Sequence, residues 1–89
     1  MPTVRIPTPL RPHAGGLDAV EATGATVGEV LGDLATTYPA LRERLFEGGD
    51  LRRFVNVYVN DEDIRYLEDL NTAVNPNDEV SIIPAVAGG

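Results

Sequence analysis

The sequence closes on Gly88-Gly89, and the reactive group this supplies is the α-carboxylate of Gly89. Glycine has no Cβ, so two in succession adopt almost any φ and ψ and can thread a channel too narrow for side chains. A carboxylate presented this way suits an enzyme that must reach the chain end itself. Ahead of the pair stand Ala85, Val86 and Ala87, small uncharged residues that such an enzyme could grip along a groove. Frayed chain ends are common, and Gly-Gly alone would describe one. The lead-in sets this tail apart. Glu79-Val80-Ser81-Ile82-Ile83-Pro84 alternates like a strand, and no charged side chain follows Glu79. The expectation is an ordered strand that Pro84 terminates, feeding a flexible tail over residues 85–89.

The other candidates for chemistry read differently. Asp61, Glu62 and Asp63 are consecutive, so their carboxylates point in different directions, and no second cluster with His accompanies them. They fit a solvated turn better than a metal or acid-base site. His13 is the one histidine and lies among prolines and glycines with no Ser partner, so its use would be a contact to another protein. Gly15-Gly16 and Gly48-Gly49 lack the spacing of a phosphate-binding loop. There is no Cys, hence no disulfide, thiolate metal site or thiol nucleophile. No catalytic residue, metal site or bound cofactor is expected of the chain itself.

The elements that must position the tail follow from periodicity. Thr3-Val4-Arg5-Ile6 alternates, with Val4 and Ile6 toward a core. Pro7, Pro9 and Pro12 break that pattern, and residues 7–16 read as a loop closed by Gly15-Gly16. Leu17 to Ala22 is a second, weaker strand ended by Thr23-Gly24, so the two form a hairpin with an enlarged turn. Thr26 with Glu29 three residues on is a capping box. Val27, Val30, Leu31, Leu34 and Tyr38 then make one apolar helical stripe, bounded by Pro39. Pro39 suits the first position of a short second helix, with Leu41 and Leu45 on one face and Arg42, Glu43 and Arg44 in solvent. Gly48-Gly49 ends it.

Phe54 to Asn60 is the strongest strand, with Val55, Val57 and Val59 on one face and Phe54, Asn56 and Tyr58 on the other. Asn60 to Asp63 is turn chemistry, Ile64-Arg65-Tyr66 a short return strand, and Leu67 to Val74 irregular or a single helical turn. Asn75-Pro76-Asn77-Asp78 is a turn with Pro at its second position. In the final strand Val80 and Ile82 point inward, Ser81 and Ile83 outward. The order strand, strand, helix, strand, short strand, strand implies an α+β layer with one main helix over a mixed sheet. A right-handed crossover sets the third strand, or the last, beside the first, which is the β-grasp, or ubiquitin-like, topology. Phe54, Tyr58 and Ile83 on the outward face form a candidate docking patch.

Composition narrows the partners. With 89 residues the chain makes one small domain over 1–89, and hydrophobic content of 43% supplies its core from aliphatic side chains. Seven Lys+Arg, all of them Arg, stand against fourteen Asp+Glu, for a formal charge of −7. That balance disfavours nucleic acid and anionic membrane and favours a basic protein partner. Without Lys the chain offers no side-chain amine for isopeptide attachment. No signal peptide or membrane-length run is evident, so a cytoplasmic protein is expected.

Three segments carry a family resemblance: Ile6-Pro7-Thr8 with Leu10-Arg11-Pro12-His13 and Gly15-Gly16; Arg53 to Asp63; and Ile83 to Gly89. On these the chain resembles the ThiS/MoaD family of ubiquitin-like sulfur carriers, and within it the actinobacterial cysteine-biosynthesis carriers. The resemblance implies carrier chemistry at Gly89. A ubiquitin-activating-type adenylyltransferase would use ATP to adenylate the carboxylate, and a sulfur donor would displace AMP to leave a thiocarboxylate. It implies that Gly88 and the segment Ala85, Val86, Ala87 thread the partner active sites. The implied acceptor is a pyridoxal-phosphate cysteine synthase, with a metalloprotease restoring the Gly-Gly end. Other acceptors of the same kind are a thiazole-synthase-like, molybdopterin-type or secondary-metabolite (thiosugar-type) enzyme. A ubiquitin-like protein modifier and a β-grasp interaction module with an inert tail complete the alternatives.

Overall fold

The computed structural model describes residues 1–53 and 55–84. Strand β1 (Thr3–Arg5) pairs antiparallel with β2 (Ala19–Glu21), as the hairpin reading requires. On its other side β1 pairs parallel with β7 (Glu79–Pro84), which resolves which strand lies beside the first: it is the last. Strand β5 (Val55–Val59) runs antiparallel to β7, and β6 (Glu62–Asp63) closes the sheet in the order β2-β1-β7-β5-β6. The strand that leads to the tail is therefore central.

Alternation selects the buried face as expected. Val4, Val57, Val80 and Ile82 are buried beneath helix α1 (Val27–Thr37), which presents Val27, Val30, Leu31 and Leu34 to them. Thr26 caps α1, its Oγ1 accepting from the Glu29 N–H at 3.2 Å; such a cap contributes about 1 kcal/mol. The reciprocal bond falls one residue earlier than in a standard capping box, since Glu29 Oε1 accepts from the Ala25 N–H at 3.0 Å. The Thr72 carbonyl takes the Val27 N–H, so a distant segment completes the helix start. Tyr38 ends α1 half-buried against the core. Helix α2 (Pro39–Leu45) begins on proline and buries Leu41 and Leu45, leaving Arg42, Glu43 and Arg44 exposed.

Three segments depart from the sequence reading. Residues 8–14 form a 3-10 helix, Thr8–Ala14, where a loop was expected. It drives Leu10 and Ala14 into the core, and its prolines are tolerated because φ near −65° suits such a turn. Gly15 closes it at φ 65. Strand β2 correspondingly starts at Ala19 and not at Leu17. Gly48 and Gly49 do not terminate α2. Both have positive φ, 60 and 91, and they turn a small hairpin of β3 (Phe46–Glu47) and β4 (Asp50–Leu51). The return strand after β5 is Glu62–Asp63, two residues earlier than expected. Asn60 and Asp61, at φ 48 and 74, form the two-residue turn alone. Ile64–Tyr66 is a 3-10 turn whose start Asp63 caps, and Asp69–Asn71 is another.

Candidate functional site

The site expected from sequence has two parts, an outward sheet patch and a tail. The patch is built by the β5–β7 register. Val57 lies opposite Ile82 and Val59 opposite Val80, all four facing the helix layer. The intervening residues must then face outward. Ile83 lies opposite Asn56, and Tyr58 opposite Ser81. Ile83 and Tyr58 are thus diagonal neighbours on one face, at a spacing of about 7–8 Å for such pairs. Ile83 is 46% exposed, and Tyr58 is half-buried. Two of the three patch residues are brought together. Phe54, the third, lies outside the described residues.

The same register fixes what surrounds the patch. Ser81 pairs with Arg5 on β1, and Tyr58 with Asp63 on β6. One row across the outer face therefore reads Arg5, Ser81, Tyr58, Asp63. The Asp63 carboxylate is turned toward the Arg65 N–H, which it accepts at 2.9 Å. Tyr58 and Ile83 are left as an apolar centre between a cation on one flank and a committed acid on the other.

The tail's approach is set by where β1 stops. β1 matches β7 only through Ser81, and Ile82–Pro84 continue beyond it with β5 as their strand partner among the described residues. Pro7 lacks an N–H and cannot extend the ladder. The Ile6 carbonyl is taken instead by Arg11 Nε at 3.0 Å. The central strand therefore runs past its neighbour toward the tail. Ala85, Val86, Ala87, Gly88 and Gly89 lie outside the described residues. His13 sits in the last turn of the first 3-10 helix, far along the chain from both parts.

Asp61, Glu62 and Asp63 serve the β5–β6 turn and the cap that follows it. Among the described residues no group of three His, Cys, Asp or Glu could hold a metal ion, and no helix is long and apolar enough to cross a membrane. Sequence reasoning missed a polar clip at the start of β7. Asp78 accepts from the Asn75 N–H and from Asn60 Nδ2, both at 2.8 Å, and Asn60 Oδ1 accepts from the Glu79 N–H at 2.9 Å. These bonds, that to Asn75 foremost, hold the Asp78 carboxyl below its ordinary pKa. Paired Asx residues in the two turns were the available signal.

Comparison with known proteins places this arrangement. The ThiS family model matches residues 4–89. The sulfur carrier protein CysO of Mycobacterium tuberculosis is 53% identical over 98% of this chain and 97% of its own length. A chain of the Amycolatopsis orientalis BexX/CysO complex superposes with a TM-score of 0.93 at 48% identity, covering 100% of both. Small archaeal modifier protein 3 of Haloferax volcanii is 43% identical over 73% of this chain and 71% of its own.

Proposed function

The chain belongs to the ThiS family, and from that membership we propose that it is a sulfur carrier whose cargo is held at Gly89. The observation that carries this reading is the identity of 53%, spread over 98% of the chain, to a protein named as a sulfur carrier. The chemistry follows from leaving groups. A carboxylate oxygen is not displaced at neutral pH, whereas the AMP of an acyl adenylate is. An adenylyltransferase of the ubiquitin-activating type joins the Gly89 carboxylate to AMP from ATP and releases pyrophosphate. Sulfide then attacks the carbonyl carbon, AMP departs, and a thiocarboxylate remains. ATP belongs to that partner, and the carrier itself needs no bound cofactor and no catalytic side chain.

Gly88 lets the end enter the activating site, and Ala85, Val86 and Ala87 are held along its approach. Tyr58 and Ile83, with Phe54, form the face that meets the partner. The acceptor we propose is a pyridoxal-phosphate cysteine synthase. It takes the sulfur onto an activated serine, and a metalloprotease then frees the product and restores Gly89. The BexX/CysO complex, in which a chain so similar is found with another protein, supports an acceptor enzyme as partner. A second reading, conjugation of Gly89 to lysines of other proteins, draws on the likeness to an archaeal modifier protein.

Intact-mass spectrometry after incubation with the adenylyltransferase, ATP and sulfide tests the proposal. The expected result is exchange of one oxygen for sulfur, mapped to Gly89. An unchanged mass with an enzyme proven active on another carrier would sink it. An isopeptide-linked product in place of the thiocarboxylate would favour the modifier reading.

A further inference from the structure

β6 is two residues long and pairs only with Tyr58 and Val59. The first half of β5 therefore has no strand on that side among the described residues. The 3-10 turns Ile64–Tyr66 and Asp69–Asn71 cover part of the gap, and β4 supplies a wall beyond it. A groove of about 530 Å³ stays open between them. Of its apolar lining, Leu51 and Leu70 are half-buried and keep accessible surface, whereas Val57 and Ile64 are buried. Its rim carries Arg52, Arg53 and Arg65.

That concentration of arginine is out of keeping with the rest of the chain. The protein has seven basic residues and a formal charge of −7, yet three of the seven gather at one groove. Asp50 and Asp69 also reach it, so the lining still carries one more cation than anions. Two of the guanidinium groups are anchored to backbone. Arg52 Nε donates to the Glu43 carbonyl at 2.6 Å, and Arg65 Nη2 to the Arg53 carbonyl at 3.2 Å. A carbonyl orients a guanidinium without cancelling its charge, and each arginine has five N–H donors to share. Location adds meaning. Val55, which lines the groove, pairs with Pro84, the last residue of β7. The groove thus opens beside the strand end that leads to the tail, on the helix side of β5 and away from Tyr58 and Ile83.

We propose that this groove docks an extended, carboxylate-bearing segment of the enzyme that activates the tail. Apolar side chains of that segment rest on the half-buried Leu51 and Leu70, and its carboxylates take the arginine forks, where charge-assisted and bidentate bonds form. The proposal rests on the carrier reading, since it names the partner as the enzyme working at Gly89. The overall negative charge does not forbid it. At physiological salt, interactions between exposed charges fade over about 8 Å, so the local arrangement decides. The enzyme gains a second hold on the carrier, on the layer opposite the Tyr58 and Ile83 face.

The test is calorimetric titration of the adenylyltransferase with the intact chain, at low and at physiological salt. Arg53→Glu, which removes no side-chain hydrogen bond of the described structure, is expected to weaken binding about tenfold at low salt, the loss narrowing as salt rises. Arg53→Lys should recover part of it. Arg42→Glu, the same change in net charge at an exposed position of α2 outside the groove lining, should bind within about twofold of the unaltered chain. Circular dichroism confirms that each variant is folded, and Arg65→Gln provides an independent variant of the same rim. Wild-type affinity in both Arg53→Glu and Arg65→Gln overturns the proposal, as does an equal loss in Arg42→Glu. Failure of the unaltered chain to bind overturns the carrier reading and this proposal together, and is recognised because it needs no variant.

Discussion

At the scale of single residues, two glycines that look alike in sequence have opposite surroundings. Gly24 lies between β2 and α1, where the chain passes hard against the helix start. A Cβ there would stand 2.6 Å from the Val30 nitrogen and 2.8 Å from Glu29 Cβ. Backbone is the obstacle, so it cannot rotate away. Gly32 lies inside α1, and a Cβ added to it would meet nothing within 4 Å. Gly24→Ala should therefore destabilise by about 1–3 kcal/mol, through forced shifts in a packed region. Gly32→Ala should stabilise by about 0.5–1 kcal/mol, because glycine is a poor helix former. Urea denaturation of the two variants should move the midpoint in opposite directions, and shifts of the same sign would refute the contrast. The sequence marked Gly24 only as a strand end. Close approach depends on how two elements pack, and no local pattern records it.

Between elements, the clip at Asp78 joins the turn before β7 to the turn after β5. Its carboxylate holds the Asn75 N–H and Asn60 Nδ2, while Asn60 binds β7 through the Glu79 N–H. The folded state therefore lowers the Asp78 pKa, chiefly through Asn75 and secondly through Asn60. The unfolded chain then binds more protons between the lowered value and the ordinary aspartate value of about 3.9. The stabilisation is fully present above that ordinary value and is lost as pH falls through the folded one. The group is largely solvated, so screening keeps the effect small. Thermal melts of the unaltered chain and Asp78→Ala should differ at neutral pH and converge in strong acid. A gap that persists unchanged in strong acid would show that the carboxylate is not its source. The elements this clip joins were readable beforehand, because β5, β7 and α1 are long enough for their periods of two and 3.6 to show. The arms of the β3–β4 hairpin and β6 are two residues each, too short for alternation to register. The 3-10 helix of residues 8–14 was hidden by its prolines, although Leu10 and Ala14, four apart, were its buried pair.

For the whole molecule, the described core and sheet are complete by Pro84. Every core residue of the described structure lies between Val4 and Ile82, and the last strand pair joins Val55 to Pro84. Alternation in β5 and β7 was enough to place Tyr58 and Ile83 on one outer face. The arginine groove escaped it, because that groove exists only where a short β6 leaves β5 uncovered. Deleting Gly88-Gly89 should thus leave the melting temperature within about 2 °C of the full chain, a shift well under 1 kcal/mol for a domain of this size. The same deletion should abolish the oxygen-for-sulfur mass change completely, since it removes the acceptor carboxylate and the two residues that fit a narrow channel. Binding to the activating enzyme through the Tyr58 and Ile83 face should survive in weakened form, because that face belongs to the sheet. A truncated chain that keeps full activity in the cell would leave the tail inert and make the protein an interaction module. Loss of activity with an unchanged melting curve assigns the function to the tail and leaves the sheet as the support that aims it.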